Sequence, residues 1–379
     1  MKICIISNKY PNKHDQNILV FVQRFAWSLA EYGVDCAVIS PIPINLNPRY
    51  IDIPAYYQET TTFGAKVDVY RPKCLGFGQS KTVMGKSPIQ ATTRFMEMAV
   101  CKVIERNHLD FDAFVGHFSA PAGVVAARVG KRFNVASFVA FGDSSMAFVD
   151  QFGREKIREE FRDLSGIIAV STAGKNSLVK AHILDDERIH VIPNAFNPNR
   201  FYPRNKVESR KQLGLPLDAF IVGYVGWFNE RKGIKRLEAA VDSASGVYFI
   251  AAGKGPLKPV SKKCLLARSI GNGELPIFYS ALDAFVLPTL NEGCCNAIIE
   301  AIACGIPVVS SDLEFNYDLL DSECSILVDP CDPAQITKAI MTLKDNSSLR
   351  AKLAKGSLEK AKMLTSDIRL AKILKLINK

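Results

Sequence analysis

The chain has 379 residues, enough for two domains of ordinary size that each bury their own core. With 48% hydrophobic and 23% charged residues it has the composition of a soluble globular protein, and no apolar run approaches the ~20 residues needed to span a bilayer. The net charge of +10 would suit an anionic partner, but nucleic acid is not favoured, because the basic stretches lack regularly interleaved aromatic residues.

The N-terminus and the cysteines both indicate a cytoplasmic protein. The apolar run at residues 3–6 is too short for a signal-peptide core, and no small-residue cleavage site follows it. The ten cysteines include no C-x-x-C pair, and we interpret them as reduced, small hydrophobic residues. The five histidines are scattered along the chain, so we predict no metal site.

In the first half, short apolar runs alternate with segments of helical period. A helix is expected at residues 19–32, ending at Gly33. The loops at 41–54 and 75–88 are rich in Pro, Gly and polar residues, and a mobile part is expected near 80–87. The strands predicted here are 2–7, 35–40, 113–116, 135–140 and 167–171.

The second half repeats this alternation, which predicts a parallel sheet covered on both faces in each half. We therefore expect an α/β protein of two doubly wound, Rossmann-like domains facing a cleft, with ligands outside the carboxyl ends of the strands. The tail, 334–379, is expected to be largely helical. The predicted strands are 220–225, 247–252, 284–287, 308–311 and 325–328, and the predicted helices are 235–242, 277–281 and 297–304.

The most informative motif is the stretch 291–309, in which Glu292 and Glu300 lie eight residues apart. A helix is expected to begin between them, with Asn296 as its polar cap, and to stop at Gly305 before Pro307. The unpaired N–H groups of a helix start attract phosphate, and carboxylates on either side accept hydrogen bonds from hydroxyls. This layout suits a diphosphate between two sugar rings.

A second motif, 225–233, follows an apolar strand and precedes a helical pattern. Gly226 at the strand end would let a ligand approach the backbone, and Lys232 at the helix start would meet phosphate oxygens as a point charge. By itself a lysine before a glycine is more typical of a surface turn.

Taken together and in order, these motifs resemble retaining glycosyltransferases of glycosyltransferase family 4, which have the GT-B fold. The family's E-x7-E signature corresponds to Glu292 and Glu300, and its lysine before glycine corresponds to Lys232. The remaining matches in this half are Pro193-Asn194-Ala195, Gly253-Lys254-Gly255-Pro256 and the segment from Leu275-Pro276 through Tyr279 to Asp283.

The first half resembles the family more loosely. Gly116-His117-Phe118 is similar to the family's strand-end histidine segment, and Phe141 stands where many members carry His or Arg before a glycine. The loop at residues 8–17 matches a glycine-bearing loop of the family but has no glycine. Trp227 stands where many members have an arginine that joins the lysine on the diphosphate.

The resemblance implies a hexosyltransferase-type enzyme that moves a sugar from a nucleotide-sugar donor with retention of configuration and without an obligatory metal or other cofactor. It implies that Glu300 holds the ribose and Glu292 a hydroxyl of the transferred sugar. Lys232 and the N–H groups after Gly293, those of Cys294 and Cys295, would stabilise the leaving diphosphate.

Two roles stay open. His117 could hydrogen-bond the sugar or the acceptor, or be a satisfied strand-end histidine. Arg231 could supply the charge that Trp227 lacks, although helix geometry would turn it about 100° away from Lys232. The donor-binding set is therefore Gly226, Arg231, Lys232, Glu292, Gly293, Cys294, Cys295 and Glu300, and the candidate catalytic residues are Lys232, Glu292 and His117.

The division of the chain follows the same resemblance. A boundary is expected between Ser171 and Pro193, and we draw an acceptor-binding domain at 1–170 and a nucleotide-sugar-binding domain at 171–358. In the family the last helix often crosses back to the first domain, so the tail at 359–379 is expected to pack there.

Basic residues concentrate in two segments, with six basic residues against one acidic at 71–102 and eleven against three at 338–379. They could form a solvated face, or bind an anionic membrane surface or a phosphate-bearing lipid. Our hypothesis is a protein peripheral on the inner face of the plasma membrane, acting on a saccharide or lipid-linked saccharide for cell-surface polysaccharide. The alternatives are a GT-B nucleotide-sugar epimerase and a non-catalytic nucleotide-sugar-binding protein, which Trp227 would favour.

Overall fold

The computed structural model describes residues 1–16, 18–77, 88–271 and 273–378, and the chain forms two compact units. Unit 1 consists of Met1–Ile192 with Leu370–Lys379, and unit 2 of Pro193–Arg369. The expected mobile stretch at 80–87 lies outside the described residues.

Unit 1 is built of strands joined by helices. Its strands are β1 (Lys2–Ile6), β2 (Asp35–Ile39), β3 (Ile42–Pro43), β4 (Tyr56–Thr60), β5 (Lys66–Tyr70), β6 (Lys73–Cys74), β7 (Ala113–His117), β8 (Ala136–Phe141), β9 (Gly166–Ala169) and β10 (Ile189–Val191). Its helices are α1 (Val20–Glu31), α2 (Ile89–Arg106), α3 (Val124–Phe133), α4 (Ala147–Phe152), α5 (Arg154–Phe161) and α6 (Thr172–Lys180).

Eight of these strands form one sheet in the order β10-β9-β8-β7-β1-β2-β5-β4, in which β4 and β5 pair antiparallel and the other neighbours are parallel. Strand β1 shows why both faces are covered. Its Ile3 and Ile5 belong to a cluster with α1, while Cys4 and Ile6 belong to a second cluster with α2 and α3. Because successive residues of a strand point to opposite faces, a continuous apolar strand must be buried on both sides.

Unit 2 has the second sheet. Its strands are β11 (Phe220–Val225), β12 (Val247–Ala252), β13 (Cys264–Arg268), β14 (Ala284–Leu287), β15 (Val308–Ser311) and β16 (Ser325–Val328). Its helices are α7 (Lys206–Gln212), α8 (Ile234–Ser243), α9 (Leu275–Ser280), α10 (Asn296–Ala303), α11 (Pro333–Asp345), α12 (Ser347–Ala361) and the start of α13 (Ser366–Ile377).

The sheet of unit 2 is parallel throughout, in the order β13-β12-β11-β14-β15-β16. The chain winds outward from β11 to β13 and then crosses back to continue from β14 in the other direction. Strands β11 and β14 are therefore neighbours at the point where the winding reverses. In open α/β sheets this reversal leaves a crevice at the carboxyl ends of the two strands, where ligands bind.

Helix α10 starts and stops as its sequence suggests, with one correction. Gly305 has φ +74°, its N–H bonds Ile302 O at 3.0 Å, and the N–H of Ile306 bonds Ala301 O at 3.1 Å, which is a Schellman stop. The prediction of Asn296 as a polar cap is wrong. The N-cap position is Cys295, with no capping bond from its side chain, so the first amides of α10 are not closed off by an Asn side chain.

The division into units runs differently from the boundaries that we drew. The structure keeps β9, α6 and β10 with the first sheet, so unit 1 continues to Ile192. At the other end, Leu370, Ile373 and Leu374 of α13 are buried in the cluster that contains α1.

Candidate functional site

The carboxyl end of β11 is a tight turn against the end of β12. The Gly226 N–H bonds Ala252 O at 3.0 Å, and the Phe228 N–H bonds Lys254 O at 2.8 Å. A Cβ on Gly253 would lie 1.9 Å from Gly226 O. The two glycine motifs, at 226 and at 253–256, thus pack backbone against backbone, an approach that a side chain on Gly253 would prevent.

The turn that carries Lys232 is packed on the loop after β14. The N–H of Lys232 bonds Asn229 Oδ1 at 2.9 Å, and the Leu290 N–H bonds Arg231 O at 2.8 Å. Gly233 has φ +78°, and a Cβ there would lie 2.2 Å from Pro288 O. Glycine is therefore required after the lysine, because only glycine combines this backbone conformation with so close an approach.

A compact charge cluster joins the two strand ends. Lys232 Nζ lies 2.6 Å from Glu292 Oε1, and the two side chains are only 14% and 10% exposed. Thr289 donates to the same oxygen at 2.7 Å, and Arg231 Nη1 lies 3.3 Å from it. Arg231 Nη1 also donates to the main-chain oxygen of Asn291. Two cations thus lie beside one carboxylate at the reversal point of the sheet.

Arg231 and Lys232 do not point apart, contrary to the expectation from helix geometry. That expectation requires both residues to lie in a helix, but α8 begins only at Ile234. In the turn before the helix the side-chain spacing of about 100° does not apply, and both cations reach Glu292 Oε1. Trp227 is 48% exposed, and its main-chain oxygen accepts a hydrogen bond from Tyr224 Oη at 2.9 Å.

Asn194, in the Pro193–Asn194 turn, contacts Cys294 and holds the loop before α10 in place. The N–H of Asn194 lies 3.4 Å from Cys294 Sγ, and its Nδ2 lies 3.4 Å from Cys294 O. Burial raises the pKa of the Cys294 thiol to about 12 and that of Cys295 to about 11, although the charge of Lys232 opposes the rise at Cys295. Both cysteines are therefore neutral at physiological pH, so their thiols carry no charge that would repel an anion.

Glu300 lies on α10 and is almost fully buried. Its Oε2 accepts a hydrogen bond from Tyr279 Oη at 3.0 Å. Burial and the neighbouring Glu300 carboxylate raise the pKa of Tyr279 well above its usual value, so this phenol remains a donor. The hydrogen bond orients the carboxylate from the side of α9.

In unit 1, His117 ends β7 and is buried. Its ring lies 5.5 Å from that of Phe25 and 6.2 Å from that of Phe21. At the end of the neighbouring β8, the buried Asp143 accepts hydrogen bonds from the N–H and the Oγ of Ser119, both at 3.0 Å. Burial raises the pKa of Asp143 to about 6, and the bonds from Ser119 oppose the rise.

The structure therefore groups the predicted donor-binding residues around the ends of β11 and β14 and the start of α10, whereas His117 belongs to unit 1. Sequence reasoning assigned no role to Thr289, Asn229 or Asp143. Thr289 could have been found, because it is the first polar residue after the apolar strand β14 and lies three positions before Glu292. Asn229 accepts from the N–H three residues on, within its own turn, whereas Asp143 accepts from Ser119, 24 residues away, a contact that no local pattern signals.

No group of three or more His, Cys, Asp or Glu side chains among the described residues could hold a metal ion. No helix of this part of the chain is both long and apolar enough to cross a membrane.

Comparison with known proteins supports a glycosyltransferase. Residues 205–360 match the family described as Glycosyl transferases group 1. The chain is 26% identical over 353 residues to the putative teichuronic acid biosynthesis glycosyltransferase TuaC of Bacillus subtilis, covering 90% of this chain and 88% of that protein. Other relatives are glycosyltransferases of O-antigen and lipopolysaccharide core biosynthesis.

Solved structures establish the fold. Sucrose-phosphate synthase from Thermosynechococcus elongatus aligns with a TM-score of 0.78 at 18% identity, covering 100% of this chain and 98% of that one. HepE of Anabaena, in complex with UDP, aligns with a TM-score of 0.73 at 18% identity, covering all of both chains. The protein is thus a glycosyltransferase, by its domain match and its relatives, and it has the GT-B fold.

Proposed function

We propose that the protein transfers a sugar from a nucleotide-sugar donor to a saccharide or lipid-linked saccharide, with retention of configuration, in the manner of glycosyltransferase family 4. The observation that carries the proposal is the contact of Lys232 and Arg231 with Glu292 at the reversal point of the unit 2 sheet. It places two cations and a carboxylate beside the start of α10, as a diphosphate with an attached sugar requires.

The diphosphate would occupy the positive side of this cluster. Negative charge grows on the leaving phosphate as the glycosidic bond breaks, and Lys232, Arg231 and the first amides of α10 would stabilise it from fixed positions. Because these groups are held by the turn and the loop, little reorganisation is needed during the reaction. We propose that this charge makes a metal dispensable.

The two acidic residues would hold the sugars on either side. Glu300, oriented by Tyr279, would accept hydrogen bonds from the ribose hydroxyls. Glu292 would accept one from the transferred sugar. Retention would follow from a front-face route, in which the leaving phosphate oxygen takes the proton of the acceptor hydroxyl as that hydroxyl attacks the anomeric carbon.

The acceptor would bind to unit 1. His117, with Phe21 and Phe25 beside it, offers a hydrogen-bonding edge within an aromatic surround. Such a setting suits an uncharged saccharide hydroxyl. His117 would contact the sugar or the acceptor in this role.

The cellular role that we propose is cell-surface polysaccharide biosynthesis on the inner face of the plasma membrane. TuaC and the O-antigen and lipopolysaccharide core relatives support the pathway class. Basic residues of the segments 71–102 and 338–379 would bind anionic lipid there, except Arg71, which is buried and donates to the main-chain oxygens of Tyr10 and Pro11. Of these segments, Lys81, Lys86 and Lys379 lie outside the described residues.

A thermal-shift screen against UDP-, GDP-, ADP- and dTDP-sugars tests the proposal. The donor at about 100 times its dissociation constant should stabilise the fold by about 2.7 kcal/mol. Lys232→Ala and Glu300→Ala should each shrink the shift strongly. Lys211→Ala, which removes an exposed lysine paired with Glu208 on α7, is the matched control and should keep the full shift. Equal shifts in all variants would refute the assignment.

Turnover assays separate the alternatives. Conversion of the donor without an acceptor would indicate an epimerase. Binding without turnover across a broad acceptor panel would indicate a binding protein. Arg231, which contacts Glu292, brings a second cation to the site although Trp227 stands where many family members have an arginine. We therefore expect sugar transfer rather than binding alone.

A further inference from the structure

The charges of the candidate donor site are already paired with one another. Glu292 Oε1 lies 2.6 Å from Lys232 Nζ and 3.3 Å from Arg231 Nη1, and it accepts a hydrogen bond from Thr289 Oγ1 at 2.7 Å. Lys232 is thus held by a carboxylate at the place where we propose that it holds a phosphate. An incoming diphosphate must compete with Glu292 for the same ammonium group.

Once that ammonium leaves, Glu292 keeps only Thr289 at 2.7 Å and the longer contact with Arg231 at 3.3 Å, and the loss is costly unless something replaces the ammonium. Both side chains are about nine-tenths buried, and a buried charge that loses its partner destabilises the protein far more than an exposed one does. Hydroxyls of a sugar attached to the diphosphate can donate to Glu292 in place of Lys232. A nucleoside diphosphate without a sugar offers no such donor.

We propose that Glu292 and the nucleotide sugar exchange partners on binding, so that the site holds the intact donor more tightly than the nucleoside diphosphate left after transfer. Lys232 leaves Glu292 and pairs with the phosphate. Glu292 then accepts hydrogen bonds from the sugar hydroxyls in place of Lys232. Once the sugar has left, Glu292 recaptures Lys232 and promotes release of the spent nucleotide. This inference rests on the proposed function and names how the same site discriminates substrate from product.

The surrounding contacts allow the exchange to be a movement of side chains alone. The backbone of the turn is fixed by the bonds from Lys232 N to Asn229 Oδ1 and from Leu290 N to Arg231 O. Thr289 Oγ1 lies within reach of Arg231 O and Asn291 O as well as Glu292. Only the side chains of Lys232 and Glu292 have to change their direction.

Binding measurements on Glu292→Gln test the exchange. The probes are the nucleotide sugar that gives the largest thermal shift and the nucleoside diphosphate with the same base, with inorganic pyrophosphate as a third. The wild type should prefer the intact donor. In Glu292→Gln the nucleoside diphosphate and pyrophosphate should bind about tenfold tighter, because Lys232 is no longer held by a charge, and the preference for the intact donor should fall correspondingly.

Glu230→Gln is the matched control. Glu230 lies two residues from Lys232, is largely exposed and pairs with Arg236, so its neutralisation changes the net charge without touching the exchange. All its affinities should stay close to those of the wild type. If Glu292→Gln unfolds, Glu292→Asp withdraws the carboxylate by one methylene and should shift the preference in the same direction by a smaller factor.

The outcomes distinguish the two proposals. If the wild type binds the nucleotide sugar and the nucleoside diphosphate, and neither Glu292 variant tightens the nucleoside diphosphate or pyrophosphate, the exchange is refuted while the donor site stands. If the wild type binds no nucleotide sugar, the proposed function fails, and the exchange fails with it.

Discussion

The strand ends of the two units carry their acidic residues in opposite settings. In unit 2, Glu292 at the reversal point is paired with Lys232 and Arg231. In unit 1, Asp143 accepts two hydrogen bonds from Ser119, a neutral partner, and His117 at the end of the neighbouring strand lies among aromatic rings. One carboxylate therefore lies beside cations, and the other beside neutral hydrogen-bond donors.

This difference matches the division of labour that we propose. A diphosphate needs cations that stay charged, and a carboxylate beside them keeps them in place without removing the net positive charge. A saccharide hydroxyl is uncharged, so it needs directional hydrogen-bond partners and no cation. The same parallel-sheet architecture thus supports two chemistries through the residues that follow its strands.

The largest effect is expected at the charged end. Lys232→Ala should lower the transfer rate by about 10²–10³-fold, since it removes a preorganised charge from the leaving phosphate. His117→Ala should have a smaller effect on the transfer rate. It should change the KM for the acceptor rather than the KM for the donor. Steady-state kinetics with each substrate varied in turn measure both. A donor KM that changes more in His117→Ala than in Lys232→Ala would break the comparison.

The next effect concerns the turn that supports the cations. Gly233→Ala should destabilise the protein by about 3 kcal/mol or more, because it adds a backbone clash to the cost of a positive φ. Gly214→Ala is the control in the same unit, with φ +65° and nothing within 4 Å of an added Cβ. It should cost only about 1–2 kcal/mol. Urea unfolding of both variants would show the difference, and equal losses would contradict the close approach.

A third effect is the pH dependence of unit 1. The pKa of Asp143 is about 6, above the ordinary value of 3.8, so the folded state holds this proton more tightly than the unfolded one. Stability should therefore fall as the pH rises between these two values. Asp143→Asn should abolish that fall, which thermal unfolding midpoints of wild type and variant from pH 4 to 7 would measure. Parallel profiles would show that Asp143 has no such role.

The smallest effect is expected at Trp227. Because Arg231 already supplies a second cation, Trp227→Arg should tighten donor binding by only roughly twofold to fivefold, the scale of a partly exposed ion pair. Trp227→Leu keeps the position neutral and is the control. A gain of a hundredfold or more in Trp227→Arg would mean that Arg231 does not act on the diphosphate.

Strand bounds were predicted most accurately where burial allows only one arrangement of the chain. The strands β11, β12, β14, β15 and β16 agree with the predicted ranges to the residue, because continuous apolar runs between helices form buried parallel strands. The edge strand β16 was predicted, but the edge strands β4, β10 and β13 were missed, as was β5. Strand β13 is only partly buried and ends in the exposed Arg268, and β4 is an antiparallel edge strand without a continuous apolar run.

For the candidate site, the residue types were predictable and their geometry was not. The spacing of Glu292 and Glu300 around a helix start could be taken from the chain. The convergence of Lys232, Arg231 and Thr289 on one oxygen depends on where α8 begins and on the contact of Gly233 with Pro288, which join segments about 55–60 residues apart. No local pattern encodes such a contact.

The most direct test is a crystal structure with the nucleoside diphosphate sugar that gives the largest thermal shift. We expect phosphate oxygens within hydrogen-bond distance of Lys232 Nζ and of the first amides of α10, with Glu292 turned from Lys232 to a sugar hydroxyl. A diphosphate bound elsewhere on the protein, with the pair of Lys232 and Glu292 intact, would contradict the account.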